Sequence, residues 1–485
     1  MAVPQEPITL GFIPAHRGFF SIELAAKMRQ STLDVMARLG IEAVAPTPEQ
    51  TKAGCIENRE EAQICAELFR DAGVQGIVIG AVNFGDEQAA SAAVREAGLD
   101  VPVLIFGCQE EEVLSRSTPR RDAFCGLLSI GDALRQIGVP YSIGQRPICF
   151  PTDDSFSQDL DWFVRVCRVV NGISGGRYAQ IGTRPEGFWT CRYSERELQA
   201  LGATTVVADL SEAIAGANAI ASNDAQVRGI LEQIQAYADT SRIAPEALDR
   251  MARFEAYLRR FREEHDIDAF AIQCWNSIQR NYGICTCSTM SRLGDDGIPC
   301  ACEVDVLGAV SMHALQLASG MPAALADWNN LHNTDDELAN IWHCGVFPRS
   351  FAQSHPTMGC NDILCGSGAC TEDQGQGVLS FTMRPGPLTL FRVGEDAGEP
   401  LKALVAQGAV EDNEAETFGA YGWCRIPHLQ RLYRDILLNH SPHHVAVTQG
   451  HVGNVLWEAF GKYLGLDVFH ATQETPGLYT PRLPF

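Results

Sequence analysis

Three acidic residues stand at the ends of an otherwise apolar stretch, "ACEVDVLGAVSMHALQLASGMPAALADWNN" (301–330): Glu303 and Asp305 near its start and Asp327 near its end. Carboxylates are rarely buried without a partner, so either these face water or positive charge sits between them. Glu303 falls where a Gly/Pro-containing loop enters a helix. Asp327 falls at the C-terminal end of the strand-like run "PAALAD". Side chains at such positions are well placed for a site, although Glu303 and Asp305 also suit a helix N-terminus, and Asp327 suits a turn cap in "DWNN". A second cluster sits in "NHSPHHVAVTQGHVGNV" (439–455), which holds His440, His443, His444 and His451, four of the chain's 12 histidines. One imidazole and two carboxylates, with room for substrate oxygens, suit Mn²⁺, Mg²⁺ or Co²⁺ better than a closed thiolate zinc site.

The cysteines offer a rival site. Cys285/Cys287 and Cys300/Cys302 form two C-x-C pairs, and Cys360, Cys365 and Cys370 a looser set. Zinc sites more often use C-x₂₋₄-C, so thiols packing a loop are the simpler reading.

The elements that must position these groups come in a definite order. Residues 8–14 read as a buried strand, 21–39 as an amphipathic helix stopped by Gly40, 41–46 as a strand, and 58–73 as a helix between Asn58 and Gly73. Then come 74–82 (strand), 87–98 (helix) and 101–107 (strand). Such β-α alternation implies a doubly wound parallel sheet with ligand sites at C-terminal strand ends. The first strand is not followed by G-x-G-x-x-G, so a dinucleotide is not supported. A helix over 157–173 leads to a second α/β region with strands at 177–182, 203–210 and 268–275 and a long helix over 245–265. Beyond about residue 320 the chain becomes β-rich. "GVLSFTMRPGPLTLFRV" (377–393) reads as a hairpin turning at "RPGP", and the chain returns to helix (451–465) and strand (466–472). The boundaries expected are 1–170 for an α/β domain, 171–318 for a second carrying Glu303, and 319–485 for a β-rich domain carrying Asp327 and His444.

Composition bounds the partners. The formal net charge is −23, from 37 Lys+Arg against 60 Asp+Glu, which argues against nucleic acid or an anionic membrane. A few pocket arginines could still bind an anionic small molecule. The N-terminus lacks a secretory pattern, no run of 18 apolar residues occurs, and 17 cysteines fit a reducing compartment, so a cytoplasmic protein is expected.

"GIPCACEVD…MPAALADWNN" resembles the active-site segment of the L-fucose isomerase and L-arabinose isomerase superfamily, in which a Glu is followed by an Asp or Glu about 24 positions later, as Asp327 follows Glu303. "HHVAVTQGHVG" (443–453) is similar to the family's C-terminal His segment, with the family His on His444. "AQIGTRPEGFWTCRY", "FTMRPGPLTL" and the loop "AHRGFF" extend the likeness over most of the chain. The resemblance implies two α/β N-terminal domains and a β-barrel-containing C-terminal domain. It implies aldose–ketose isomerisation through a cis-enediol, with Mn²⁺ or a similar ion held by Glu303, Asp327 and His444, and with Glu303 and Asp327 moving protons. It also implies a homo-oligomer, often a hexamer, in which Arg17 reaches a neighbour's pocket. L-arabinose isomerases place a further metal His in a region comparable to 332–343, where His343 is the better match; Trp275 and His343 are carried over as substrate-facing. Fucose isomerases are longer, so pocket loops differ here. Two other classes remain open at this stage. One is a lyase or carbon-transfer enzyme acting on an anionic ketose, for which Arg17, Arg184, Arg349 and Arg384 would be suited. The other is a non-catalytic sugar-binding protein, since paired α/β lobes also suit binders.

Overall fold

The computed structural model describes residues 2–111, 113–395, 400–412, 417–439 and 441–470. The chain divides into two compact units. One comprises Glu6–Asn171 with Lys462–Gly465, and the other Gly172–Gly461 with residues 2–5 and the strand Asp467–His470.

The first unit is a five-stranded parallel sheet. In spatial order its strands are Glu42–Val44, Thr9–Ala15, Gly76–Ala81, Val103–Cys108 and Ser142–Cys149. Its central strands are apolar runs buried along nearly their whole length, as expected of a sheet covered on both faces. The helices between them start and stop where the side chains dictate. Asn58 accepts the Glu61 N–H at the start of Arg59–Ala72, and Gly73 takes φ 59° at its end, a left-handed conformation that a Cβ would disfavour. Arg17 follows the first strand. Its guanidinium pairs with Glu87 and lies 3.5 Å from Asp86, and its Nε donates to the Gly85 carbonyl.

The second unit joins a parallel sheet to a barrel. The sheet runs Thr204–Ala208, Arg177–Ile181, Ala269–Ile272, Cys300–Cys302. The barrel is six antiparallel strands: Ala323–Leu331, Leu338–His343, Ala420–Arg425, Lys402–Val410, Gly386–Gly394 and His444–Gln449, the last pairing back onto the first. Closure leaves these strands without a free edge. Helix Val306–Ser319 connects the two parts and contacts strands of both. It is apolar and buried on nearly every face because neither side of it meets water.

The expected order, α/β regions followed by a barrel-containing C-terminal part, is the order observed. The hairpin expected at "RPGP" is not. Gln376–Thr382 and Gly386–Gly394 do not pair with each other. The first pairs with Thr357–Cys360 and Ala420–Arg425, the second with Lys402–Val410 and His444–Gln449. Pro-Gly favours a type II turn, whose twist splays the flanking strands instead of closing a two-residue hairpin. The helix expected over 451–465 is Gly453–Trp457 continued as a π-helical turn, Glu458–Tyr463. Of the strand expected at 466–472, Asp467–His470 is observed, and residues 471–472 lie outside the described residues.

Candidate metal centre

The site begins with an abrupt turn. Strand Cys300–Cys302 ends, and Glu303 (φ 61°) and Val304 (φ 58°) both take left-handed backbone conformations before Asp305 caps the next helix. A left-handed L-residue costs about 1–2 kcal/mol, and a β-branched valine tolerates it poorly. The turn is held by the Val304 N–H on the Ile272 carbonyl (3.3 Å) and the Asp305 N–H on the Cys302 carbonyl (3.1 Å). Such strain persists where surroundings over-determine it, commonly at functional sites. Here it sets the Glu303 carboxylate at the C-terminal end of a parallel strand.

The barrel supplies the other groups. Asp327 lies directly opposite His444 across an antiparallel pair, so the two side chains share a face. His343 ends the strand that pairs on the other side of Asp327's strand. His444 Nε2 is 3.0 Å from Glu303 Oε2 and 3.6 Å from Asp327 Oδ1. Ligand atoms of Glu303, His343 and His444 lie within 4.8 Å of one another. Glu303 Oε2, Asp327 Oδ1, His343 Nε2 and His444 Nε2 are all buried, and none makes a well-formed hydrogen bond, the nearest approach being the 3.0 Å ion-pair contact of His444 with Glu303. Leaving even one buried polar atom unsatisfied costs about 1–3 kcal/mol. Glu303, His343 and His444 form one group that could hold a divalent cation, and Asp327 joins it through His444, a set of oxygen and imidazole ligands suited to such an ion.

Asp305 arranges this set from behind. It accepts the Gly308 N–H, pairs with both terminal nitrogens of buried Arg392, and sits 2.8 Å from His444 Nδ1. With Nδ1–H donating to Asp305, the lone pair of His444 Nε2 points toward Glu303 and Asp327, an arrangement typical of metal-bound histidine. The electrostatics of the site demand positive charge. Burial disfavours the His444 cation, but the Asp305, Cys191 and Glu303 side chains around it outweigh burial and hold its pKa well above the usual value. Burial likewise opposes the charge on His343, yet Cys344 and Asp327 raise it to about 9. Burial pushes the Asp327 carboxyl up. Asp305 is held low because Arg392 and His444 overcome its desolvation. His443 is different: burial and the neighbouring His444 charge lower it to about 4.

A cavity of about 1220 Å³ opens at the C-terminal ends of the parallel strands and reaches the centre at Val304 and Cys191. Trp275 and Phe188 form part of its wall, and Phe188 also stacks on His443.

The structure thus brings together Glu303, Asp327, His343 and His444, and places Trp275 in the adjoining cavity. Arg17 lies in the other compact unit. His451 is engaged elsewhere, its Nε2 on the Gly408 carbonyl, and His440 lies outside the described residues. The two C-x-C pairs do not form one four-thiol cluster among the described residues, although Cys287 and Cys302 each approach Cys344. Cys300 Sγ donates to the Ile298 carbonyl, whereas Cys302 meets Cys274 at 2.8 Å and groups with His343 and Cys344. Arg349 stacks on Tyr237 and Arg384 binds Gln449. Sequence reasoning missed Arg392 altogether and favoured a helix N-terminal charge as the role of Asp305. The available signal was the lone arginine in the apolar strand run "LTLFRVG" (388–394), which calls for a buried carboxylate.

Residues 11–174 match the family described as "Fucose/sulfoquinovose isomerase, N-terminal domain" and residues 341–471 match "L-fucose isomerase, C-terminal domain". His343 and His444 fall inside the second match, while Glu303 and Asp327 lie between the two. A sulfoquinovose isomerase from Priestia aryabhattai is 25% identical over 414 residues, covering 84% of this chain and 86% of that protein. One from Alkalicoccus urumqiensis is 26% identical, covering 84% and 86%, and one from Clostridium sp. (strain MSTE9) is 23% identical, covering 84% and 87%.

Proposed function

Because the chain belongs to the fucose isomerase-like family, we propose that it is a metal-dependent aldose–ketose isomerase and that its substrate is a sulfonated hexose, as the names of its relatives suggest. The observation that carries the reading is the buried cluster of ligand atoms from Glu303, His343 and His444, with Asp327 3.6 Å from His444 beside it. Mn²⁺ is the ion proposed, with Mg²⁺ or Co²⁺ as alternatives of similar ligand preference. When bound, the ion polarises the sugar carbonyl as a Lewis acid.

The chain's own residues do the rest. In the aldose-to-ketose direction a carboxylate takes the proton from C2, which leaves an enediolate with its negative charge on O1. Carbon C1 then receives a proton, and the hydroxyl proton on O2 is transferred to O1. We assign these proton transfers to Glu303 and Asp327. Asp305 holds His444 in the Nδ1–H tautomer so that Nε2 stays available. His343 stands beside them either as a fourth ligand or as a donor to a substrate oxygen. Burial of the centre excludes bulk water, which would otherwise compete for the carbonyl oxygen.

The test is proton exchange. The protein is incubated with Mn²⁺ in D₂O with neutral, sulfonated and phosphorylated aldoses and ketoses and followed by NMR. Deuterium at C1 or C2 together with aldose–ketose interconversion supports the proposal. Fragmented sugars would replace it with carbon–carbon bond chemistry, and no exchange with bound metal would overturn it.

A further inference from the structure

The cavity beside the metal centre carries charge of the opposite sign to the chain as a whole. The protein has 60 acidic against 37 basic residues, yet the cavity is lined by Arg184, Arg192 and Arg280 against a single carboxylate, Glu186. None of the three guanidiniums pairs with a carboxylate among the described residues. Arg184 donates to the Pro185 and Glu186 carbonyls of its own loop, and Arg280 Nε donates to the Ala369 carbonyl. Arg192 lies with its guanidinium 4.1 Å from the centroid of exposed Trp189. Stacking fixes the plane of that group while leaving its N–H edges free. Buried arginines elsewhere in the same unit can be neutralised directly, as Arg392 is by Asp305 and Arg292 by Glu255.

The cavity also joins the metal centre to exposed arginines. Val304 and Cys191 lie at its metal end, and Arg192 and Arg280 are exposed. A sugar with C1 and C2 at the centre would extend into this arginine-lined cavity. At about 1220 Å³ the space exceeds what one hexose fills, so shape alone does not fix the substrate and a charged anchor is needed.

We propose that Arg192 and Arg280, supported by Arg184, form a subsite for a tetrahedral oxyanion, sulfonate or phosphate, on the sugar carbon farthest from the carbonyl. This rests on the isomerase reading and adds to it the residues that select the substrate. Guanidinium forks match the geometry of such anions and bind them by paired, charge-assisted hydrogen bonds.

The test measures kcat and KM of the Mn²⁺-loaded enzyme for glucose, its 6-phosphate and its 6-sulfonate (sulfoquinovose), using wild type, Arg192→Gln, Arg280→Gln and the double variant. Each single variant is expected to lower kcat/KM for the preferred charged sugar on the order of 10–100-fold, mainly through KM, and to lower the charged-to-neutral ratio with it. Whichever of sulfonate or phosphate loses more identifies the natural group. Equal losses for neutral and charged sugars, or an unchanged ratio, overturn the subsite. If wild type isomerises none of them, calorimetric binding of the sulfonated and phosphorylated sugars decides. Binding that weakens in both variants keeps the subsite while the isomerase reading falls. Binding that is absent, or indifferent to both arginines, overturns the subsite as well.

Discussion

Replacing Asp305 by asparagine separates the two roles the structure gives this side chain. Asparagine caps helices about as well as aspartate, so the hydrogen bond from Gly308 survives. What changes is the second oxygen. It becomes an NH₂ group facing Arg392 and His444 Nδ1. Arg392 is 2% exposed and loses its counter-charge, and breaking one side of a buried ion pair costs about 3–5 kcal/mol. At about 2–4 °C per kcal/mol for a unit of this size, Tm should fall by about 6–20 °C. Separately, an NH₂ donor at His444 Nδ1 selects the tautomer protonated on Nε2, which cannot bind a cation there. Loss of such an outer partner weakens metal binding by about 10–100-fold. A tenfold change corresponds to about 1.4 kcal/mol. Mn²⁺ titration by calorimetry, with thermal unfolding at zero and saturating Mn²⁺, measures both effects. Adding Arg392→Met should return most of the stability and none of the affinity. An Asp305→Asn protein with wild-type Mn²⁺ affinity would refute the reasoning, whatever its Tm.

Glu303→Gln should abolish deuterium exchange into the sugar and lower the bound metal; full turnover with unchanged metal content would remove Glu303 from the centre. His443 has its pKa lowered to about 4, against 6.5 for an ordinary histidine, so the unfolded chain takes up that proton first as the pH falls. Its share of stability is therefore complete above about pH 6.5 and is lost toward pH 4. A Tm–pH series should show a shallower acid limb for His443→Gln than for wild type, and identical limbs would count against the assignment. Cys300→Ser should cost about 1 kcal/mol and release no metal by elemental analysis, because its thiol only hydrogen-bonds the Ile298 carbonyl; metal loss with a steep fall in Tm would restore a thiolate site.

Much of the architecture was legible because local signals agreed with the fold. Asn58 and Gly73 bracket their helix as expected, and the buried strand runs of the first unit are continuous apolar segments. Glu303 and Asp327 stood out because each is an acid at the edge of an apolar element, and the histidine cluster pointed to His444. The left-handed pair Glu303–Val304 was not legible, since neither residue favours that conformation and only the surrounding packing imposes it. The role of Asp305 was hidden for the same reason, because the turn brings it under His444 from 139 positions away. Arg392 was overlooked because it lies in a strand run otherwise suited to a core. The "RPGP" error came from counting a proline–glycine turn as a hairpin without asking whether its twist fits.

The closed barrel has a kinetic consequence. Asp327 and His444 become neighbours only when the first and last barrel strands pair, a contact that spans more than a hundred residues. Contacts so distant in sequence form slowly, because loop closure precedes any reward from pairing. The ion therefore has little to bind until the ring is shut. Metal added during refolding should leave the folding rate nearly unchanged and slow unfolding, so the occupied centre acts as a latch on a finished barrel rather than a nucleus for building it.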